Sequence, residues 1–231
     1  MKVDKKRIQY SVKGEHLTKP LIRYFYAPLA RKFLYLVAVL NLPIQFVNTF
    51  NLLFAIFAGL IIFFYPNYLW IAGLLIIVSF TMDLVDGAWA RYNQKRSLYG
   101  KWLDETNGLV GVFLVFAAGA WITFVAKGDV SILLLFGFAT FAYMMMNYAG
   151  VLMELIRYRY ELKENLSDAF KNSLSKKTGI KPSSIGFSFE YQWTIIAILA
   201  ALNQFVILFW VFIILGNLQW MARYIILWPK R

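Results

Sequence analysis

Nearly every basic residue of this chain falls into alternate gaps between long apolar runs, and no other feature constrains the fold as tightly. Of 24 Lys and Arg, nine lie in residues 1–32, four in 91–101, seven in 156–190 and three at the C-terminal end. Lys127 is left alone in an opposite gap. Several of the intervening runs approach the ~20 residues a helix needs to cross the hydrocarbon of a bilayer. The chain is 60% hydrophobic with only 16% charged residues, so it cannot supply the polar shell that a soluble core of this size requires. Cytoplasmic loops of membrane proteins collect Lys and Arg. The segregation therefore places the basic gaps together in the cytoplasm.

The expected fold is all-α: a polytopic membrane helical bundle of about six transmembrane helices with an N-terminal interfacial helix. It is expected as a single integral membrane domain over residues 1–231, with a basic amphipathic segment at 1–45 and the transmembrane bundle at 46–227. Within the N-terminal segment, LTKPLIRYFYAPLARKF mixes bulky apolar and basic residues, as an interfacial helix does; Pro20 and Pro28 are helix starts or breaks. Residues 33–50 carry Asn41, Pro43, Gln45 and Asn48, each of which needs a partner in lipid, so the first span begins near Phe46. It runs to about Tyr65, with a turn at Pro66 and Asn67. The second begins near Tyr68 and the third covers about Leu103 to Val125. The fourth covers about Val130 to Leu155. A polar stretch at 156–190 follows, with a short helix expected in RYRYELKENLSDAFKNSL. The apolar remainder is split at Asn203 and Gln204 into a fifth and a sixth span, the fifth short unless it starts near Ile185. Trp193, Trp220 and Trp228 read as interface anchors. The N-terminus, the C-terminus and the 91–101 linker then share the cytoplasmic side of a multi-pass protein.

Composition also removes several functions. Cysteine is absent, which excludes a disulfide framework and thiolate metal sites. The single His16 excludes a site built from several imidazoles. The opening MKVDKKRIQY lacks an apolar region soon after its charges and does not read as a cleaved signal peptide. The net charge of +12 is explained by basic loops facing anionic lipid, so no nucleic-acid partner is expected.

Residues 83–108, DLVDGAWARYNQKRSLYGKWLDETNG, carry the chemistry. Asp83, Asp86 and Asp104 lie beside or inside apolar runs, where a carboxylate is costly and usually functional. Asp83 and Asp86 are spaced i, i+3 and share a helix face. Gly87 and Ala90 continue that stripe as a floor of small residues, and Arg91 follows. Gly100 and Asp104, at i, i+4, form a second stripe on the next helix. Facing stripes of this kind make an oxygen-rich pocket suited to hard cations such as Mg²⁺ or Mn²⁺. Two plainer roles compete: ion pairs with Arg91, Lys95, Arg96 or Lys101, and helix packing at Gly87 and Gly100. Glu105 is ionisable but points about 100° around the helix from Asp104.

These residues resemble the CDP-alcohol phosphotransferase (CDP-alcohol phosphatidyltransferase) family, whose pattern is D-x2-D-G-x2-A-R-x8-G-x3-D-x3-D. Asp83, Asp86, Gly87, Ala90, Arg91, Gly100 and Asp104 match; the last Asp of the pattern falls on Gly108. The resemblance implies a metal site at Asp83, Asp86 and Asp104 and a nucleotide-binding role for Gly87, Ala90, Arg91 and Gly100. Arg91 contacts phosphate or braces a carboxylate, and the sequence does not choose. The implied reaction transfers a phospho-alcohol group from a CDP-linked lipid or alcohol donor to an acceptor alcohol, releasing CMP in phospholipid or related lipid synthesis. In the family the missing Asp is a metal ligand and the proposed base. With Gly108 in its place, Glu105 is the catalytic candidate that remains on this helix, an acidic acceptor, a water or Glu154 from another helix are the alternatives, and Asn107 offers a neutral oxygen. The resemblance also suggests a homodimer. Two other readings are a catalytically impaired relative that binds CDP-lipid or metal, and a small transporter. Arg157, Arg159 and Lys163 suit an anionic acceptor or, more simply, anionic lipid.

Overall fold

The computed structural model describes residues 4–12, 19–94, 98–160 and 186–227. His16, Lys95, Arg96, Lys163, Trp228 and most of the helix expected over 157–174 lie outside them. The described residues are helical, with no strand among them. Among the described residues five helical stretches are long and apolar enough to span a membrane: Ile44–Phe64, Pro66–Tyr92, Trp102–Lys127, Ser131–Ile156 and Phe205–Ile225. The expected fifth span is the shorter helix Phe189–Ala201. Its 13 residues rise about 20 Å, less than the ~30 Å of bilayer hydrocarbon.

The chain divides into two compact units, Met1–Lys127 with Phe189–Phe205, and Gly128–Ser188 with Val206–Arg231. The first begins with α1 (Lys5–Ser11), whose N-cap Asp4 accepts from the backbone N–H groups of Lys6 and Arg7. A π-turn at Ile22–Tyr26 then leads into α2 (Ala27–Leu40). Pro28 lies in the first turn of α2, where its missing N–H costs least. Asn41 ends the helix in the left-handed conformation, φ 47°, which Asn tolerates better than most residues. Pro43 then caps α3 (Ile44–Phe64). The polar cluster at 41–45 is thus a helix-to-helix corner, and the first span starts two residues earlier than the sequence reading placed it.

α4 (Leu69–Tyr92) follows the Pro66–Tyr68 turn, and α5 (Leu98–Lys127) follows the linker. α3 packs on both, while α4 also receives α1, α2 and α7 (Phe189–Ala201). Small residues permit the closest approaches. A Cβ added at Gly73 of α4 would lie 2.8 Å from the Ala197 carbonyl oxygen and from the Ala201 Cβ. One added at Gly111 of α5 would lie 2.9 Å from the Ala55 Cβ of α3. Such contacts let membrane helices pack through van der Waals attraction where lipid supplies no hydrophobic drive. Trp193 is a correction to the sequence reading: it is buried and stacks on Phe80 of α4 at 6.0 Å. It sits on the α7 face that packs against α4, so it is a core residue and not an interface anchor. Nearby, Lys19 Nζ pairs with the buried Glu190 at 3.0 Å, and the Tyr26 and Thr194 hydroxyls are 2.7 Å apart. Both contacts tie the approach to α2 onto α7.

In the second unit, α6 (Ser131–Arg159) packs on the Phe212–Gly216 π-turn and on α9 (Asn217–Leu227), which continue α8 (Phe205–Val211). Phe212 meets Tyr143 and Phe187 edge-on. The Arg223 guanidinium donates to the Met146 carbonyl. Trp220 donates to Asn217 Oδ1 at 2.7 Å. Glu154 is exposed on α6.

Candidate functional site

Asp83, Asp86, Gly87, Ala90 and Arg91 all lie on the last turns of α4, and Gly100, Asp104, Glu105 and Gly108 on the first turns of α5. The structure brings the carboxylates together. Asp104 lies within electrostatic range of both Asp83 and Asp86. Asp86 is 6% exposed, and its Oδ2 is buried with no hydrogen-bond partner. Glu105 is exposed; of the acidic groups that act on Asp83 it acts most weakly.

A set of amides holds this cluster, and the sequence reading passed over most of it. Asn51 Nδ2 of α3 donates to Asp83 Oδ1 at 3.0 Å. The Ser79 hydroxyl of α4 reaches Asn51 Oδ1 at 2.7 Å and its carbonyl at 2.9 Å. Asn107 Nδ2 of α5 donates to Asn48 Oδ1 of α3. Asn48, Asn51, Ser79 and Asn107 are all buried, and unpartnered amides there would each cost about 1–3 kcal/mol. Asn48 and Asn51 are spaced i, i+3 in an apolar run. That spacing was the available signal: two amides on one face of a membrane helix imply a polar partner opposite. Thr49, between them, is exposed and bonds only its own helix, at the Gln45 carbonyl.

Arg91 has a double attachment. Its Nε donates to the Ser11 carbonyl at the end of α1, 2.9 Å away, and its charge acts on Asp86. Its Nη1 lies 3.5 Å from where a Gly87 Cβ would sit. Arg91 thus ties the motif end of α4 to α1 while its charge lies near Asp86. Around it, Trp89 Nε1 donates to the Leu42 carbonyl at 2.9 Å, and the Arg7 guanidinium stacks over Tyr92 at 4.9 Å. The helix end that carries the motif is therefore fixed by three contacts, two to α1 and one to the corner at Leu42. Gly87 and Ala90 are half-buried, and nothing but Arg91 lies within 4 Å of a Cβ at Gly87. At Gly108 an added Cβ would meet nothing within 4 Å.

Among the described residues no three acidic or imidazole groups stand ready as a coordination shell. The donor set nevertheless fits a hard divalent cation in kind. Three carboxylates lie within electrostatic range of one another, and Asp86 presents a buried oxygen that no protein group satisfies. Repulsion between adjacent carboxylates is what a bound cation relieves.

A model of the CDP-alcohol phosphatidyltransferase family matches residues 40–228. No curated protein matches the chain. The match takes in every motif residue from Asp83 to Asp104 and the helices that hold them. The chain thus belongs to the CDP-alcohol phosphatidyltransferase family, membrane transferases that move phospho-alcohol groups in lipid synthesis.

Proposed function

We propose that this protein transfers a phosphatidyl-type group from a CDP-linked donor to an acceptor alcohol and releases CMP. The observation that carries the reading is the junction of Asp83, Asp86 and Asp104 at the ends of α4 and α5, where Asp86 Oδ2 is buried without a hydrogen-bond partner. Asp83, Asp86 and Asp104 would hold Mg²⁺ or Mn²⁺, which when bound neutralises charge on the donor pyrophosphate. Gly87, Ala90 and Gly100 leave room for the nucleotide against the helices, and Arg91 keeps the α4 end in place. The acceptor oxygen attacks the phosphorus distal to the cytidine. The bond from that phosphorus to the bridging oxygen breaks, and the electron pair leaves with CMP. Glu105 takes the hydroxyl proton. The site opens to the cytoplasm, and so do both termini. Single-cysteine labelling on this cysteine-free chain tests the orientation: Lys127→Cys and Lys95→Cys should label from opposite sides, and labelling from one side would overturn it.

A second reading is favoured by one observation, the open space at Gly108 where the family's last carboxylate belongs. On that reading the protein binds the donor but turns it over poorly. The deciding experiment is CMP release by purified protein with CDP-diacylglycerol, Mg²⁺ or Mn²⁺, and a panel of alcohols. Turnover that is lost in Glu105→Gln supports the enzyme with its base at Glu105. Donor binding without turnover supports the impaired relative. No donor binding under any metal condition would rule out both.

A further inference from the structure

We propose that the groove between α1 and α2 is a binding site for one anionic phospholipid, separate from the carboxylate cluster. The groove has a volume of about 370 Å³ and is lined by Ile8, Gln9, Arg31, Lys32 and Tyr35. That is room for a phosphate and its glycerol, though not for acyl chains. Two of the five lining residues are cations. Among the described residues no carboxylate pairs with either, and Arg31 Nε is buried without a hydrogen-bond partner. A buried guanidinium donor with no acceptor, beside an exposed ammonium, is complementary to a phosphodiester.

The surroundings select a lipid over a soluble anion. Arg31 and Tyr35 share one face of α2 at i, i+4, and Lys32 and Leu36 share the neighbouring stripe. Beyond them Leu36, Val39 and Leu40 are exposed at 52%, 53% and 57%. The opposite stripe, Ala27, Ala30, Leu34, Val37 and Ala38, is buried in the protein. α2 therefore turns an apolar surface away from the bundle, with the cations at one end of it. A ligand matched to this surface carries a phosphate at one end and hydrocarbon at the other. The inference does not depend on turnover of a CDP-linked donor, because none of the groove residues belongs to the carboxylate site.

Native mass spectrometry of the full chain tests it, using nanodiscs that contain equal phosphatidylglycerol and phosphatidylcholine of the same acyl composition. The wild type should retain phosphatidylglycerol over phosphatidylcholine by about tenfold or more, as two cations at a membrane surface allow. Arg31→Gln with Lys32→Gln should abolish that preference. Gln9→Trp, at an exposed position, keeps both cations but fills the groove, and it should lose the retained lipid as well. A preference that survives the double substitution would overturn the proposal. Full retention in Gln9→Trp would also overturn it, since the cations would then act as a diffuse surface charge. Complete displacement by excess inorganic phosphate would overturn it too, as the site would then be one for free anions.

Discussion

The two helix ends that form the motif are held in unequal ways. The α4 end is braced: Asp83 by Asn51, Asn51 by Ser79, Arg91 by the Ser11 carbonyl, Trp89 by the Leu42 carbonyl. The α5 end is fixed through Asn107 on Asn48, but Glu105 is exposed and Gly108 faces open space. Preorganised groups do most for a site when their geometry must not change during reaction. The contrast therefore separates a rigid half, suited to hold ions and pyrophosphate, from an open half, where an acceptor and its base would act. Loss of a carboxylate that would hold the cation, Asp83, Asp86 or Asp104, should abolish function, whereas changes at Glu105 and Gly108 in the open half should tune it.

The largest effect is expected at Asp86. Asp86→Asn removes the buried charge that a cation would use, and CMP release should fall by about 10³-fold or more, since a metal supplies several kcal/mol to such a step. Asp83→Asn should behave alike while keeping an oxygen to accept from Asn51, so the fold should persist. Melting curves with and without Mg²⁺ and donor read both variants. If cation dependence stays unchanged in each, the carboxylates are structural ion pairs.

Next comes Gly108→Asp. The position tolerates a side chain sterically, so stability without metal should change little. A carboxylate there can accept the alcohol proton, and general-base catalysis contributes ~10²–10⁴-fold. CMP release should rise by about a hundredfold if the native chain lacks a base. An unchanged rate would mean that the native chain already has one, and Glu105→Gln would then be the informative variant.

The motif residues and the helices that carry them were legible because they obey simple rules: spacing on a helix face, the cost of charge in lipid, and charge bias between spans. The braces were not. Asn51 and Ser79 each look unremarkable in sequence, because a single amide or hydroxyl does not say which helix lies opposite. The Arg91 bond runs to a backbone carbonyl at Ser11, which has no side-chain signature. The position of Trp193 in the core depends on α7 packing against α4 through Gly73, a long-range contact that local pattern does not encode. The corner at Asn41 and Pro43 was visible as an interruption, while its left-handed conformation was not.

Asn51→Leu should have a moderate effect. It removes the amide that donates to Asp83 and leaves the Ser79 hydroxyl only the carbonyl of residue 51, and an unsatisfied buried polar group costs about 1–3 kcal/mol. Unfolding in detergent should show that loss. Thr49→Ala, which removes only an exposed bond to its own helix, should lie within about 0.5 kcal/mol of wild type. Equal effects at the two positions would mean that the α4 side is not braced through α3.

The smallest effect tests whether α1 is part of the brace or merely rests on it. Arg91→Lys keeps the positive charge near Asp86 but removes the Nε–H that reaches the Ser11 carbonyl. One hydrogen bond contributes ~1 kcal/mol net, which is about a fivefold change in a local opening equilibrium. Ile8 remains in the core with Leu34, Val85 and Trp89, and Arg7 can still stack on Tyr92, so α1 should stay docked. Its amides at residues 9–11 should exchange about fivefold faster, while those of α4 before Asp83 should not change. Exchange that is unaltered in α1 would show that Ile8 and Arg7 hold it without Arg91. Exchange accelerated in both helices would show the reverse, with α1 and the motif end of α4 opening as one unit and the rigid half of the site extending to the N-terminus.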